Sequence, residues 1–446
     1  MSAEELLPLF MFIALFLTIM AGFPVAFSLA GTAFYFALIG YWLDIFSFTD
    51  FGFIPSKVFG IVKNFTLLAV PLFIFMGVML EKSGIAEELL GTMDLLCRRI
   101  RGGLTIALVL VGALLAASTG IVGATVVTMG VLALPAMLAR NYNKELACGT
   151  IAASGTLGQI IPPSIVLVLL GDMMNVAVAD LFAAAVFPGL LLVLGYILYI
   201  LIRCNINPEL APIPTEETSP KSSTLLLKVI KSLLPPFLLI FLVLGSILLG
   251  VASPTESAAC GAAGATLLAV LKKKFSRTVL QDVADQTVRL TSMVFTLLIG
   301  AQFFSVVFRG LYGDDLITDL VLDAELNKHF ALFFIMLLMF LLGFFLDFIE
   351  ICFIVVPIIA PLLVNELGFN PLWLAILIAV NLQTSFLTPP FGFALFYLKG
   401  VAPPAVNTLH IYRGILPFVA IQIAVLVILA YFPEITLWLP KYLFGS

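Results

Sequence analysis

The chain has 446 residues, 62% of them hydrophobic and only 11% charged, with a mean hydropathy of +1.18 and a formal net charge of −4. A soluble domain is nearer half apolar and a quarter charged, so these values exclude an ordinary water-soluble enzyme and point to a polytopic all-α membrane protein in a lipid bilayer. There is no basic patch for nucleic acid, and the five cysteines are scattered without a CxxC or Cys/His cluster, which argues against a disulfide framework or a zinc site.

The chain opens MSAEELL, with acids where a secretory signal would be basic, so the first apolar run is read as a retained span. That run covers 6–43 and is interrupted by AGFP at 21–24. As one helix it would be roughly 57 Å long, too long for a core of about 30 Å, so two spans with a tight turn are expected. Further spans fall near 64–81 and 178–202, with two uncharged stretches between them, 102–139 and 146–171. The polar, proline-rich stretch 203–224 is the one clear linker. Spans follow near 233–251, 254–271, 286–308, 371–400 and 408–432, with a pair of apolar segments at 330–346 and 351–364. Glu256 in SPTES reads as a cap at a turn. Arg309 and the acids of 309–325 read as a solvated loop, and His329 and His410 as interfacial residues. Alternating the segments from an external amino terminus puts most Lys and Arg on the internal side, including Arg98, Arg99, Arg101 and Lys272–Lys274, and leaves both termini outside.

Prolines recur in register: Pro24 and Pro254 are 230 apart, Pro135 and Pro361 226, Pro162 and Pro389 227, Pro188 and Pro417 229. The order of segments repeats too. The first half starts outside and ends inside, and the second does the reverse, so the chain reads as inverted-topology repeats. The division expected is 1–205 for the first repeat, 206–231 for a cytoplasmic linker and 232–446 for the second repeat.

The two segments that interrupt matching helices are ASGTLGQIIPPSIVLVLLG (153–171) and NLQTSFLTPPFGFALFYLKG (381–400). Each has small and hydroxyl residues, then Pro-Pro, then an apolar half-helix. The prolines remove amide donors and disfavour helix before them, leaving carbonyls unpaired at mid-depth. Carbonyl and hydroxyl oxygens suit a small cation such as sodium. The following half-helix directs its amino-terminal amides at the same place, which suits a carboxylate. Corresponding breaks in the two halves of a transporter are the best sequence pointer to its binding site. The bland alternative is a pair of proline kinks satisfied by neighbouring helices.

STG at 118–120 puts turn chemistry in the middle of 102–139. FFLDFIE (344–350) does the same between the paired segments of 330–364. Re-entrant hairpins or short full spans fit both. Asp347 and Glu350 lie on one helical face, where a carboxylate would help bind a cation, carry a proton or hold the tip by hydrogen bonds. Asn381, Gln383, Thr384, Ser385 and Gln159 are uncharged groups suited to orienting a substrate. No GxxxxGK[ST], HExxH or GxSxG motif is present, and no nucleophile-and-base pair suggests an enzyme.

Four segments, AASTGIVGATVVTMG, ASGTLGQIIPPSIVLVLLGD, FLDFIEICFIVVPIIAP and NLQTSFLTPPFGFALFYLKGVAPP, resemble the large permease subunit of tripartite ATP-independent periplasmic (TRAP) transporters, in the branch labelled for mannitol and chloroaromatic compounds. The resemblance spans essentially the whole chain. It implies an elevator-type sodium symporter for a small organic acid in a bacterial inner membrane, with re-entrant hairpins at 102–139 and 330–364 and interrupted helices at 143–172 and 371–400. Carried over by position, Ser118, Thr119 and Gly120 with Ser154, Gly155, Thr156, Gly158 and Pro162 would form one sodium site. Asp347 and Glu350 with Gln383, Thr384, Ser385, Thr388 and Pro389 would form the other. Gln159, Ser164, Asn381 and Gln383 would meet the substrate between them. Sodium ions for coupling are the only metal implied, and no other cofactor. Two partners are implied as well: a separate small membrane subunit and a periplasmic substrate-binding protein. The rival readings are a receptor-independent sodium- or proton-coupled anion symporter of the same fold, and a membrane scaffold without transport.

Overall fold

The computed structural model describes residues 6–119, 122–213, 222–322 and 327–445. All regular structure there is helical, and six helices are long and apolar enough to cross a membrane, or eight if each of two bent pairs is one span.

The first apolar run divides where AGFP interrupts it. Helix α1 (Leu7–Met20) ends at a turn through Gly22, whose φ of +88° is open only to a residue without Cβ, and α2 (Val25–Trp42) starts after Pro24. Then come α3 (Phe53–Lys63), the span α4 (Ala69–Lys82) and α5 (Ile85–Cys97). The first pair of arms is α6 (Gly103–Thr119) and α7 (Val122–Ala139). The first interrupted helix is α8 (Lys144–Thr156) plus α9 (Ile165–Met174), followed by the long α10 (Val178–Ile206).

The second half starts with α11 (Ser222–Leu248), α12 (Pro254–Leu271), the 34-residue α13 (Arg277–Gly310) and α14 (Gly313–Leu322). Its paired arms are α15 (Lys328–Leu342) and the bent α16 (Phe348–Ile354) and α17 (Val356–Pro361), which continues into a π-helical turn at Leu362–Glu366. The second interrupted helix is α18 (Pro371–Leu387) plus α19 (Phe393–Val401), and α20 (Thr408–Tyr431) and α21 (Glu434–Phe444) end the chain.

Packing follows the repeat with partners exchanged. Span α4 lies on α12 and its counterpart α13 lies on α2. Half-helix α19 lies on the arm α7, and half-helix α9 on the arms α16 and α17. Likewise α8 lies on α20 and α18 on α10. The exchange ties the halves into one hydrophobic core running from Leu7 to Leu429.

Several expectations change. Helix α11 begins at Ser222, inside the stretch 206–231 expected as a linker, and carries Pro235 and Pro236 within it. Before it, Leu210 accepts a hydrogen bond from the Asn143 amide at 2.8 Å, which fixes the chain after α10 to the start of α8. Arg309 is not in a free loop: it pairs with Asp314 at 3.1 Å, in the first turn of α14. His410 Nδ1 accepts from the Asn407 amide and closes a capping box on α20, whereas Glu256 is the cap that was expected, closing a capping box with Ser253 on α12. Helices α3, α5, α14 and α21 were not anticipated. They are too short and too charged to span, so neither length nor hydropathy marks them.

Candidate functional site

Each break is built by the same local chemistry. Asn143 caps α8 and accepts from the Leu146 amide, and Asn370 caps α18, which has Pro371 in its first turn. Both helices then run through fully buried surroundings, Leu146–Thr156 and Leu372–Leu387. The first relaxes into a 3₁₀ turn at Leu157–Gln159. The second stops at Thr388, whose extended backbone (φ −86°, ψ 124°) is what a following proline favours. Both Pro-Pro bonds, Pro162-Pro163 and Pro389-Pro390, are cis.

The hydroxyls around the breaks donate their protons to nearby carbonyls. Ser154 donates to Thr150 O (2.6 Å), Thr156 to Ala153 O (2.9 Å), Thr384 to Val380 O (2.7 Å), Ser385 to Leu382 O (2.8 Å) and Thr388 to Thr384 O (2.8 Å). Each oxygen therefore turns lone pairs, not a proton, toward anything else that approaches. Ser164 donates to Gln159 O at 2.9 Å and gives no cap to α9, whose first-turn amides have no side-chain partner at their N-cap.

The halves meet at these breaks. Gln383 Nε2 lies 3.5 Å from Thr156 Oγ1, a long contact between residues 227 apart, the spacing that relates Pro162 to Pro389. Asn381 Nδ2 donates to Met336 O at 2.8 Å and ties α18 to α15. Glycines allow the arms to lie close. A Cβ on Gly112 would sit 2.7 Å from Ser154 Cβ, and one on Gly343 would overlap the Ser385 hydroxyl. The two contacts are equivalent, each glycine lying 42 residues before its serine.

At the second tip, Asp347 caps α16. The Phe348 amide donates to Asp347 Oδ1 at 2.5 Å, and the Asp347 amide donates to Glu350 Oε2 at 2.8 Å. Glu350 thus serves to hold the tip, while Asp347 faces a cavity of about 100 Å³. The cavity lies where both halves converge. Gln159, Ile165 and Val166 of the first break line it, with Val122 and Gly123 at the start of α7, and Phe386 and Tyr397 of the second break. Phe348 and Ile349 flank Asp347. Ile74 of α4 and Leu290, Met293 and Val294 of α13 close the far wall. Gln159 Oε1 and Gln383 Oε1 are buried without a hydrogen-bond partner among the described residues. No ion pair reaches Asp347 among the described residues, where the pairs are Arg140–Asp94, Lys272–Glu88, Arg309–Asp314 and Arg413–Glu145.

Of the residues singled out from sequence, Gln159 and Asp347 line the cavity. Ser154, Gly155, Thr156, Gly158, Pro162, Ser164, Asn381, Gln383, Thr384 and Ser385 surround it in the two breaks and do not line it. Neither do Thr388, Pro389 and Glu350. Gly120 lies outside the described residues, and so do the side chains of Ser118 and Thr119. Tyr397, Phe386 and Phe348 were missed, although for Tyr397 and Phe386 an aromatic in a half-helix beside a break is a signal that could have found them, and Phe348 adjoins Asp347 at the tip. The walls from α4 and α13 had no signal, since ordinary apolar residues in a span look the same wherever they point.

A family model described as "Tripartite ATP-independent periplasmic transporter, DctM component" matches residues 12–435. The chain is 31% identical over 390 residues to the C4-dicarboxylate TRAP transporter large permease protein DctM of Pseudomonas aeruginosa, covering 87% of this chain and 89% of that one. It is 29% identical to the sialic acid TRAP transporter large permease protein SiaM of Vibrio cholerae over 431 residues, covering 95% and 96%. Among solved structures, the YdaH transporter of Alcanivorax borkumensis superposes with a TM-score of 0.62 at 16% identity, over 87% of this chain and 89% of that one, which is a likeness of fold. With its helices, its paired breaks and nearly its whole length matched, the chain belongs to the DctM component family of tripartite ATP-independent periplasmic transporters.

Proposed function

We propose that this chain is the permease through which a small organic anion, handed over by a periplasmic binding protein, enters the cell together with sodium. It works in a bacterial inner membrane beside a small membrane subunit, with both termini periplasmic. The breaks and hairpins move as a carrier against a scaffold that includes α4 and α13, in the manner of an elevator. The hairpins are the re-entrant arms α6–α7 and α15–α17.

One observation carries the reading. The cavity at the junction of the halves is lined by Asp347 and Gln159, which among the described residues are a carboxylate without a cationic partner and an amide oxygen without a donor. A half-buried carboxylate facing such a cavity in a membrane is costly unless a cation joins it. The hydroxyls of Ser154, Thr156, Thr384, Ser385 and Thr388, with protons committed to the backbone, supply neutral oxygen ligands around the breaks. A cation there also offsets the charge of the anion during passage. At −100 mV and a tenfold sodium gradient, two sodium ions with one monovalent anion supply about 5 kcal/mol, enough for accumulation of several thousandfold.

The test is uptake into proteoliposomes that hold this chain with its small subunit. The binding protein, a panel of labelled organic acids and an inward sodium gradient are each omitted in turn. Uptake that needs both sodium and the binding protein is expected. Uptake without the binding protein would replace the reading with a simpler symporter. Uptake that follows a proton gradient instead would make Asp347 and Glu350 proton carriers.

A further inference from the structure

Helix α5 follows the scaffold span α4 and leads into α6, the first arm of a hairpin, and its two ends are held by side chains from different bodies. At its start, the Glu88 carboxylate is shared between two helices. Oε1 accepts from Ser232 Oγ of α11 at 2.7 Å, and Oε2 accepts from Lys272 Nζ, directly after α12, at 2.6 Å. Helix α12 packs on α4 and α11 on α12, so both belong with the scaffold. Together with the chain turn through Gly84, these contacts attach the start of α5 at three points in different directions. Three such points leave a short helix no axis to turn about.

The far end is held at two points. Arg140, directly after the second arm α7, donates from Nη1 to Asp94 Oδ1 at 2.6 Å and from Nη2 to Asp94 Oδ2 at 2.8 Å. The second point is the chain itself at 98–102, folded back so tightly that a Cβ on Gly103 would overlap Cys97 O. Two points define a line, and rotation about that line stays open. A bidentate pair of guanidinium and carboxylate fixes a distance, while the torsions of the arginine stem let the angle change. The pair is shielded, with the Asp94 side chain 13% exposed and that of Arg140 34%. Apolar packing of α5 against α6 has no preferred direction and does not oppose such a rotation.

The second half lacks this arrangement. Its matching helix α14 begins at Gly313, 228 residues after Ile85 begins α5, and its ion pair runs back to Arg309 in the last turn of α13. Among the described residues no ion pair joins α14 to the arms α15–α17.

We propose that the Asp94–Arg140 pair is a pivot that stays closed through the transport cycle. The hairpin α6–α7 swings about the line from Arg140 to the turn at 98–102, while Glu88 keeps α5 on the scaffold. This rests on the carrier-and-scaffold reading above and names where the two bodies are hinged. Asp94 and Arg140 are positioning residues and do not line the cavity.

The test is uptake into proteoliposomes holding the small subunit and the binding protein, with the labelled acid that the wild-type system accumulates in sodium. Asp94→Ala and Arg140→Ala should each lower the maximal rate per folded transporter about tenfold and leave the KM for the acid within about twofold of wild type. A purely structural pair would lower the amount of folded protein and not the rate of each molecule. Exchanging the charges, Asp94→Arg with Arg140→Asp, should recover at least half the rate. With the native cysteines replaced, Asp94→Cys with Arg140→Cys should be equally slow. Joining the two thiols with a short bifunctional reagent should then restore at least half the rate of the cysteine-free parent. Should the alanine variants not fold, the exchanged and joined pairs decide. Uptake abolished by joining would mean that the contact must open, which overturns the pivot and leaves sodium-coupled import standing. Wild-type rates in both alanine variants would remove the pair from the motion. Should the complete wild-type system take up no acid with sodium, the import reading itself fails, and this proposal with it.

Discussion

Asp347 performs two tasks that a single substitution can separate. Its carboxylate accepts the Phe348 amide and so starts α16, and it faces the cavity. Asparagine is as good an N-cap as aspartate, so Asp347→Asn keeps the cap and removes the charge. Sodium-dependent uptake should fall at least tenfold, while the melting temperature of the purified protein stays within a few degrees of wild type. Uptake with the wild-type sodium dependence would remove Asp347 from the ion site. Gly343 is a purely steric case. A methyl group there meets the Ser385 hydroxyl in a closely packed interior, so Gly343→Ala should destabilise by about 1–3 kcal/mol in thermal or denaturant unfolding. A neutral result would mean that α15 can move away from α18 at no cost.

At the scale of the element, the breaks depend on the absence of backbone donors. Thr388 is extended because Pro389 follows, and the lost amides stop α18 from running on into α19. Replacing Pro389 and Pro390 by alanine should let helix propagate across the gap and fill the space the break holds open. The double variant is expected to insert and melt at or above the wild-type temperature and to lose most transport. Retained transport would mean that the prolines only accompany a break that packing already enforces. The breaks were legible in the sequence because two adjacent prolines inside an apolar run remove helix donors whatever packs around them. The short amphipathic helices were not. In α5 the buried Ile85, Leu89, Leu90 and Cys97 share one side, but with Glu87, Glu88 and Asp94 in thirteen residues the segment resembles a loop until its packing is known.

At the scale of the whole molecule, hydrogen bonds join α9 and α7 to the two ends of α4. Asn64, just before it, donates from Nδ2 to Asp172 Oδ1 at the end of α9. Glu81, near its far end, accepts from Thr128 on α7 at 3.3 Å. If α7 and α9 travel relative to α4, both contacts break in each cycle. With the native cysteines replaced, Asn64→Cys paired with Asp172→Cys should lose uptake when joined by a short bifunctional thiol reagent, and each single variant should not. Full uptake by the joined protein would show that α9 and α4 move as one body. The sequence by itself determined that the chain is built of apolar helices and where both breaks fall, because hydropathy and backbone donors are local properties that each residue carries with it. Only the tertiary structure decided which side chains share the cavity. Gln159 and Asp347 are 188 residues apart, and the walls from α4 and α13 differ from lipid-facing residues only in what they face. Exchange of partners between the halves brings them together, and packing of that kind depends on the shapes of surfaces that no local pattern records.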